Sequence, residues 1–232
     1  MKGLDPDLVL RAYTIGVFPM ADSRRARDVY WVEPRRRAIL PLDRFHLSRS
    51  LRKTLRSGRF EVTTDRAFAD VLRGCAARED TWINDKIERG YNQLHAAGHA
   101  HSVETWEEGE LVGGLYGVRL GAAFFGESMF SQTADASKVA LAWLVARLIV
   151  GGFRLLDCQF MTAHLRSLGA VEIDQEAYLA LLASALGGGA ADGLSFPPEA
   201  VEFAALDRLL AGRPGGSAPS GCVIAQLLGQ TS

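Results

Sequence analysis

Apolar positions along this chain fall into short runs broken at hairpin spacing, followed by one long run. Residues 111–118 and 122–125 are apolar and β-rich, and residues 102–106 precede them as a further strand candidate. The breaks between them, at residues 107–110 and 119–121, carry Gly109 and Gly121, which predicts an antiparallel meander. The third run is expected to stop at residues 126–131 (Gly-Glu-Ser-Met-Phe-Ser) and to lead into a long apolar helix over residues 136–150, capped by Asp135. A strand over residues 153–156 then runs directly into Asp157, Cys158 and Gln159. Thr162 caps a short helix that Gly169 stops, residues 170–173 return as a strand, and residues 178–186 are helical. Upstream, Asp5 and Pro6 open a short helix over residues 8–13. Residues 30–32 and 38–40 are strand candidates, and residues 48–56 form a basic helix closed by Gly58. Residues 60–63 read as a strand. Asp65 is expected to cap a helix over residues 67–75, and a further helix over residues 84–97 ends at Gly98.

This order is α+β. A meander that hands over to a helix and a returning strand is the order of acyl-CoA N-acyltransferase-like folds, with a mixed, mostly antiparallel sheet. A boundary is placed near Phe60, giving a small basic N-terminal α/β domain (residues 1–59), a catalytic domain (60–186) and a Gly/Ala/Pro-rich extension (187–232). One helix-like piece, residues 198–210, interrupts an extension expected to be loosely held.

Composition adds a charge asymmetry. The formal net charge is −1, yet residues 24–59 hold twelve Lys/Arg against three acids, Asp28, Glu33 and Asp43. Such a block suggests an anionic partner, nucleic acid or a membrane surface. Cys75, Cys158 and Cys222 are odd in number and widely spaced, which argues against a disulfide framework and fits a reducing compartment. No spacing of Cys and His suggests a metal site. The N-terminal residues lack a signal-peptide run, and the most apolar stretch, residues 139–150, is shorter than the ~20 residues a membrane span needs. The chain is expected to be a cytoplasmic monomer with no membrane partner.

Two polar groups stand out in apolar settings. Glu127 follows an apolar strand, and Asp157 and Gln159 end another. Two residues apart on a strand, Asp157 and Gln159 share a face; the competing assignment for Asp157 is a cap of the following turn. An acyl-CoA-dependent N-acetyltransferase would need a Gly-rich loop at a helix N-terminus, and residues 131–136 contain no glycine. A non-catalytic RNA-binding module would explain the arginine block but not the Asp157–Gln159 pair.

The motifs resemble one family, the leucyl/phenylalanyl-tRNA–protein transferases. They are Tyr13-x-x-Gly16-x-Phe18-Pro19-Met20; Trp31 with Pro34 and Arg37; Thr81-Trp82-Ile83; Gly113-Gly114-Leu115-Tyr116-Gly117; Gly126-Glu127-Ser128-Met129-Phe130-Ser131; and Asp157-Cys158-Gln159. The resemblance runs from Leu8 to Tyr178, in order and at family-like spacing. It implies transfer of Leu, Phe or sometimes Met from aminoacyl-tRNA to an acceptor protein that begins with Arg or Lys, an N-end-rule degradation signal. It implies no metal or nucleotide cofactor. Gln132, where the family usually has Arg, and Asp135, where it has Asn, depart from the pattern.

The resemblance also implies roles. Gln159 accepts a hydrogen bond from the attacking amine and Asp157 supports it electrostatically. Glu127 stands at the pocket mouth and binds the α-ammonium of the transferred residue or the acceptor's basic N-terminus. Leu115, Phe125, Leu141, Leu144 and Leu156 form the slot for the transferred side chain. Trp82, with Trp31 and Tyr91 behind it, stacks on the 3′ adenosine. Arg35, Arg36, Arg37, Arg49, Arg52, Lys53 and Arg56 form a phosphate patch.

Overall fold

A computed structural model describes residues 3–78, 80–187, 201–212 and 220–230. The elements in chain order are α1 (Pro6–Thr14), β1 (Phe18–Met20), β2 (Tyr30–Val32), β3 (Arg36–Ile39), α2 (Arg49–Ser57), β4 (Glu61–Thr64), α3 (Phe68–Ala76), α4 (Asp85–Ala96), β5 (Ala100–Glu107), β6 (Glu110–Leu120), β7 (Ala123–Ser131), α5 (Ala136–Val150), β8 (Leu155–Gln159), α6 (Ala163–Ser167), β9 (Val171–Asp174), α7 (Gln175–Ala185), α8 (Ala205–Ala211) and α9 (Ser220–Gly229).

The expected meander is the centre of a seven-stranded sheet of order β4-β5-β6-β7-β8-β3-β9. Glu108 and Gly109, with φ of 53° and 85°, make the two-residue turn between β5 and β6. All neighbours are antiparallel except β7 and β8, which α5 connects. That helix is apolar on every side and is accordingly buried from Val139 to Leu148. One apolar cluster, drawn from α1, α3, α4 and α7, covers one side of the sheet; a second, drawn from α2, α5, α8 and α9, covers the other. β3, on the N-terminal side of the expected boundary near Phe60, is hydrogen-bonded between β8 and β9 within this sheet.

Several helix ends form as the sequence indicates. Ser48 Oγ accepts from the Leu51 N–H at 3.2 Å, and Gly58 closes α2 at φ 69°. Others differ. Asp65 does not cap α3: its carboxylate accepts from the Ser102 N–H (2.9 Å) and pairs with His101 Nδ1 (2.7 Å), tying the loop to β5. Asp135 makes no side-chain cap on α5 and pairs instead with Lys138 at 2.8 Å. Ser131 Oγ accepts the Ser137 N–H in its place.

Two larger expectations are overturned. The third strand does not stop at Gly126. β7 continues through Ser131, with a bulge where β6 shifts register between Tyr116 and Gly117. Gly117 permits this, because a Cβ there would lie 2.3 Å from the Phe125 carbonyl oxygen. Nor are the described parts of the C-terminal extension loosely held. Phe203, Leu206, Ile224, Ala225 and Leu228 are buried against the α5 side of the sheet. Arg147, 2% exposed on α5, binds Asp207 through two nitrogens at 2.6 Å and the Phe203 carbonyl at 2.7 Å. The Gly/Ala/Pro bias of the extension hides α9; α8 falls within the helix-like piece expected over residues 198–210, and both pack on the α5 side. The start of the expected helical piece, residues 198–200, lies outside the described residues.

Ile224→Ala should therefore cost about 2–5 kcal/mol in urea unfolding, as for other buried large-to-small changes. A loss below half a kcal/mol would mean that α9 does not belong to the core.

Candidate active site

β7 and β8 pair only from Ala123–Phe125 to Leu155–Asp157. Beyond Phe125 and Asp157 the two strands part. Across the gap Gln159 Nε2 donates to Glu127 Oε1 at 2.9 Å. Here a cavity of about 710 Å³ opens, lined by Glu127, Gln159, Trp82, Leu115, Leu141, Leu144 and Leu156 among others.

Asp157 lies behind this surface, with no exposed area. Arg37 Nε donates to its Oδ1 at 2.9 Å and Nη2 to its Oδ2 at 2.6 Å. The Tyr178 hydroxyl donates to Oδ2 at 2.8 Å, and the Gln159 backbone N–H to Oδ1 at 2.8 Å. Gln159 is left-handed, at φ 62°, a conformation that a non-glycine residue holds only when its surroundings fix it. The Asp157 carboxylate does so. The pair works back to front: Asp157 anchors the backbone of Gln159, and Gln159 alone faces the cavity. The amide oxygen of Gln159 has no partner among the described residues.

The N-terminal motif converges on the same place. Arg37 sits between the rings of Phe18 and Tyr178, each centred 4.6 Å from its guanidinium carbon, and its Nη1 donates to the Gly16 carbonyl at 3.0 Å. Tyr13 donates to Glu127 Oε1 at 2.5 Å, Tyr91 donates to Oε2 at 2.8 Å, and the two hydroxyls lie 2.7 Å apart. Two phenols carry two protons, and these contacts have room for three. The third contact is filled only when Glu127 is protonated, Tyr13 then accepting from it and donating to Tyr91. Burial raises the Glu127 pKa to about 7, against the opposing hydrogen bonds from Tyr13, Tyr91 and Gln159. Burial, reinforced by Glu127, keeps both phenols neutral. Burial also pushes the Cys158 thiol up, with the Asp157 charge adding to it, so this cavity residue is no thiolate nucleophile.

Four of the five expected slot residues, Leu115, Leu141, Leu144 and Leu156, line the cavity. Phe125 does not. It is fully buried and packs its ring 4.5 Å from that of Tyr13. Glu127 is not at a mouth but in the wall, 8% exposed. Of the aromatic candidates Trp82 lines the cavity. Tyr91 is wholly buried and holds Glu127, so it offers no face for stacking. Trp31 lies on β2, outside the lining. Arg37 leaves the phosphate patch, because it is 1% exposed and committed to Asp157. Arg36 pairs with Glu172, and Arg52 packs against the end of α9 at Gly229. Arg35, Arg49, Lys53 and Arg56 remain exposed. The hydroxyls of Tyr13 and Tyr178 were missed, although both residues stand within the quoted resemblance. Among the described residues no group of three or more His, Cys, Asp or Glu is placed to hold a metal ion.

A cavity between parting strands, with an apolar slot beside an acid–amide couple, suits a group-transfer enzyme, and the comparisons agree. Residues 3–35 match the family model described as leucyl/phenylalanyl-tRNA protein transferase N-terminal domain, and residues 39–183 match that of leucyl/phenylalanyl-tRNA protein transferase. A protein of Rhizorhabdus wittichii named leucyl/phenylalanyl-tRNA–protein transferase is 62% identical over 255 aligned positions, covering 100% of both chains. One of the same name from Novosphingobium aromaticivorans is 51% identical, covering 99% of this chain and 97% of its own. A third, from Zymomonas mobilis, is 58% identical over 210 positions, covering 89% and 76%. The chain belongs to the leucyl/phenylalanyl-tRNA–protein transferase family.

Arg37→Leu would leave Asp157 buried and unpaired, and should destabilise the fold by about 3–5 kcal/mol at pH 7 in chemical unfolding. A near-neutral result would show that the Arg37–Asp157 pair does not hold the fold. The raised Glu127 pKa has a signed consequence. The folded state holds the Glu127 proton more tightly than the unfolded chain, so its stability contribution falls as pH rises from 4.5 to about 7 and is level above. Glu127→Gln should remove that slope, gaining on the parent by on the order of 3 kcal/mol across this window. Parallel curves for variant and parent would contradict it.

Proposed function

We propose that this chain transfers Leu or Phe, and less efficiently Met, from aminoacyl-tRNA to the N-terminal Arg or Lys of acceptor proteins, marking them for N-end-rule degradation. The observation that carries this reading is the Gln159–Glu127 contact at the parting of β7 and β8, with a leucine-lined slot and Trp82 opening from the same cavity. The parting parallel pair followed across α5 is read as the acyl-CoA N-acyltransferase-like arrangement.

The donor ester is already activated, so the acceptor amine attacks its carbonyl carbon directly. The C–N bond forms, the bond to the ribose oxygen breaks, and that oxygen leaves with a proton. Holding amine and ester together supplies on the order of 7–11 kcal/mol. Gln159 commits its Nε2 to Glu127, which turns the amide oxygen into the acceptor for the amine N–H. Asp157 fixes Gln159 from behind. Glu127, titrating near neutral pH, takes up the amine's proton or favours a cationic acceptor when ionised. The slot is apolar throughout and discriminates side chains by ~1–3 kcal/mol per methylene, which accounts for slow use of Met.

The tRNA body is placed by charge. Arg49, Lys53 and Arg56 lie exposed on α2, and Thr54 of the same helix reaches Asp135 at the start of α5, beside the cavity. An acyl-CoA donor is disfavoured. At the start of α5 the Ala136 and Ser137 N–H groups already bond Thr133 and Ser131, leaving two of the first-turn donors unavailable to a pyrophosphate.

The test is a transfer assay with leucyl-tRNA and an Arg-starting peptide, with acetyl-CoA as rival donor. Transfer from the tRNA alone is expected, and Glu127→Gln should lower its rate about 10²-fold or more while tRNA affinity stays within twofold. Acetyl transfer, or a variant as active as the parent, would refute the reading.

A further inference from the structure

Many cations on this chain face a carboxylate. Arg24 pairs with Glu88, Arg59 with Glu107, Arg66 with Glu61 and Arg147 with Asp207. Arg78 does not. It stands just past α3, exposed, on the wall of the main cavity. Its Nε donates to the Cys75 carbonyl oxygen at 3.4 Å and its Nη2 donates to Ser128 Oγ. Both acceptors are neutral, and no carboxylate among the described residues pairs with the guanidinium. Two neutral straps thus hold a cation in place without discharging it, and Nη1 is left to donate elsewhere. Trp82, four residues further along the segment between α3 and α4, also lines the cavity, and Glu127 is the acid of that lining.

We propose that Arg78 grips the phosphate joining the last two nucleotides of the aminoacyl-tRNA donor while the terminal adenine stacks on Trp82. The inference rests on the donor reading above and deepens it. That phosphate is the anion nearest to the terminal base in the chain of a nucleic acid. A planar guanidinium fork matches its oxygens. The acceptor cannot be the intended partner, because it brings a cation that Arg78 repels. The cavity therefore sorts its two substrates by charge. The anionic donor end goes to the Arg78–Trp82 wall and the cationic acceptor goes towards Glu127.

Two donors separate this role from a structural one: phenylalanyl-tRNA, which has the phosphate, and 3′-O-phenylalanyl-adenosine, which lacks it. In Arg78→Gln the ratio of kcat/KM for the first donor over the second should fall about tenfold or more. The slope of log affinity for the tRNA against log salt should become shallower by about 0.7. Arg78→Lys, which keeps the charge and loses the fork, should restore part of the ratio. An unmoved ratio in Arg78→Gln would overturn the inference, whether both donors lose equally or neither does. A parent protein inactive on both donors would instead bring down the transfer reading, and the inference with it.

Discussion

Asp157 is a carboxylate with no exposed surface, and the rest of the structure is arranged to make that tolerable. Withdrawing a charge of this size from water carries a penalty of several kcal/mol even after relaxation. It is met only if a counter-charge arrives in good geometry and the remaining lone pairs are filled. Arg37 supplies the counter-charge through two nitrogens, and Tyr178 and the Gln159 backbone fill the rest. The partner lies 120 residues away in sequence. The chain therefore has to bring β3 back beside β8, and the order β7-β8-β3-β9 is the result.

The same constraint explains the N-terminal motif. A guanidinium that is 1% exposed needs apolar cover and an acceptor for each nitrogen. Phe18 and Tyr178 give the cover, and the Gly16 carbonyl takes Nη1. Tyr13, one helical turn before Gly16, is then set against Glu127. Residues 13–37 thus bear on both carboxylates of the site without lining its cavity. Their contribution is to fix Gln159 in a backbone conformation that puts its amide across the parting strands.

Much of this architecture is legible in the residue pattern, and the failures share a cause. The hairpin break at Gly109 between β5 and β6, the Ser48 and Gly58 ends of α2 and the Asn84 and Gly98 limits of α4 are local signals, and local chemistry decided them. The burial of Arg37 is not local. Three consecutive arginines read as part of a phosphate patch, and only the pairing of β3 with β8 turns the third inward. Tyr91 fails likewise: an aromatic ring in a helix offers stacking until its hydroxyl is committed to a carboxylate on another strand. β7 was cut short because Gly126, Glu127 and Ser128 are poor strand formers, although tertiary pairing to β6 carries the strand through them. Helix α9 is hidden because the Gly/Ala/Pro composition around it outweighs a few well-spaced apolar residues, whereas α8 falls within the helix-like piece over residues 198–210. In the site, the four leucines and Trp82 were recoverable from motif matching. The division of labour between Asp157 and Glu127 was not, because it depends on which donors each one meets.

That division rests on the placement of a single cation. A buried ion pair is weak support for stability, since well-packed apolar residues of similar volume often serve as well. The distribution of charge gives Arg37 a clearer purpose. Asp157 is discharged by a guanidinium at the back of the site. Glu127, at the front, meets only neutral donors: two phenols and an amide. Neutral hydrogen bonds hold a carboxyl group in place and stabilise its charge only in part, so burial still wins and the group titrates near 7. Had the cation been placed against Glu127, the attraction would have kept that carboxylate ionised across the physiological range. Pairing Arg37 with the acid that does not line the cavity leaves the acid that does able to gain and lose a proton.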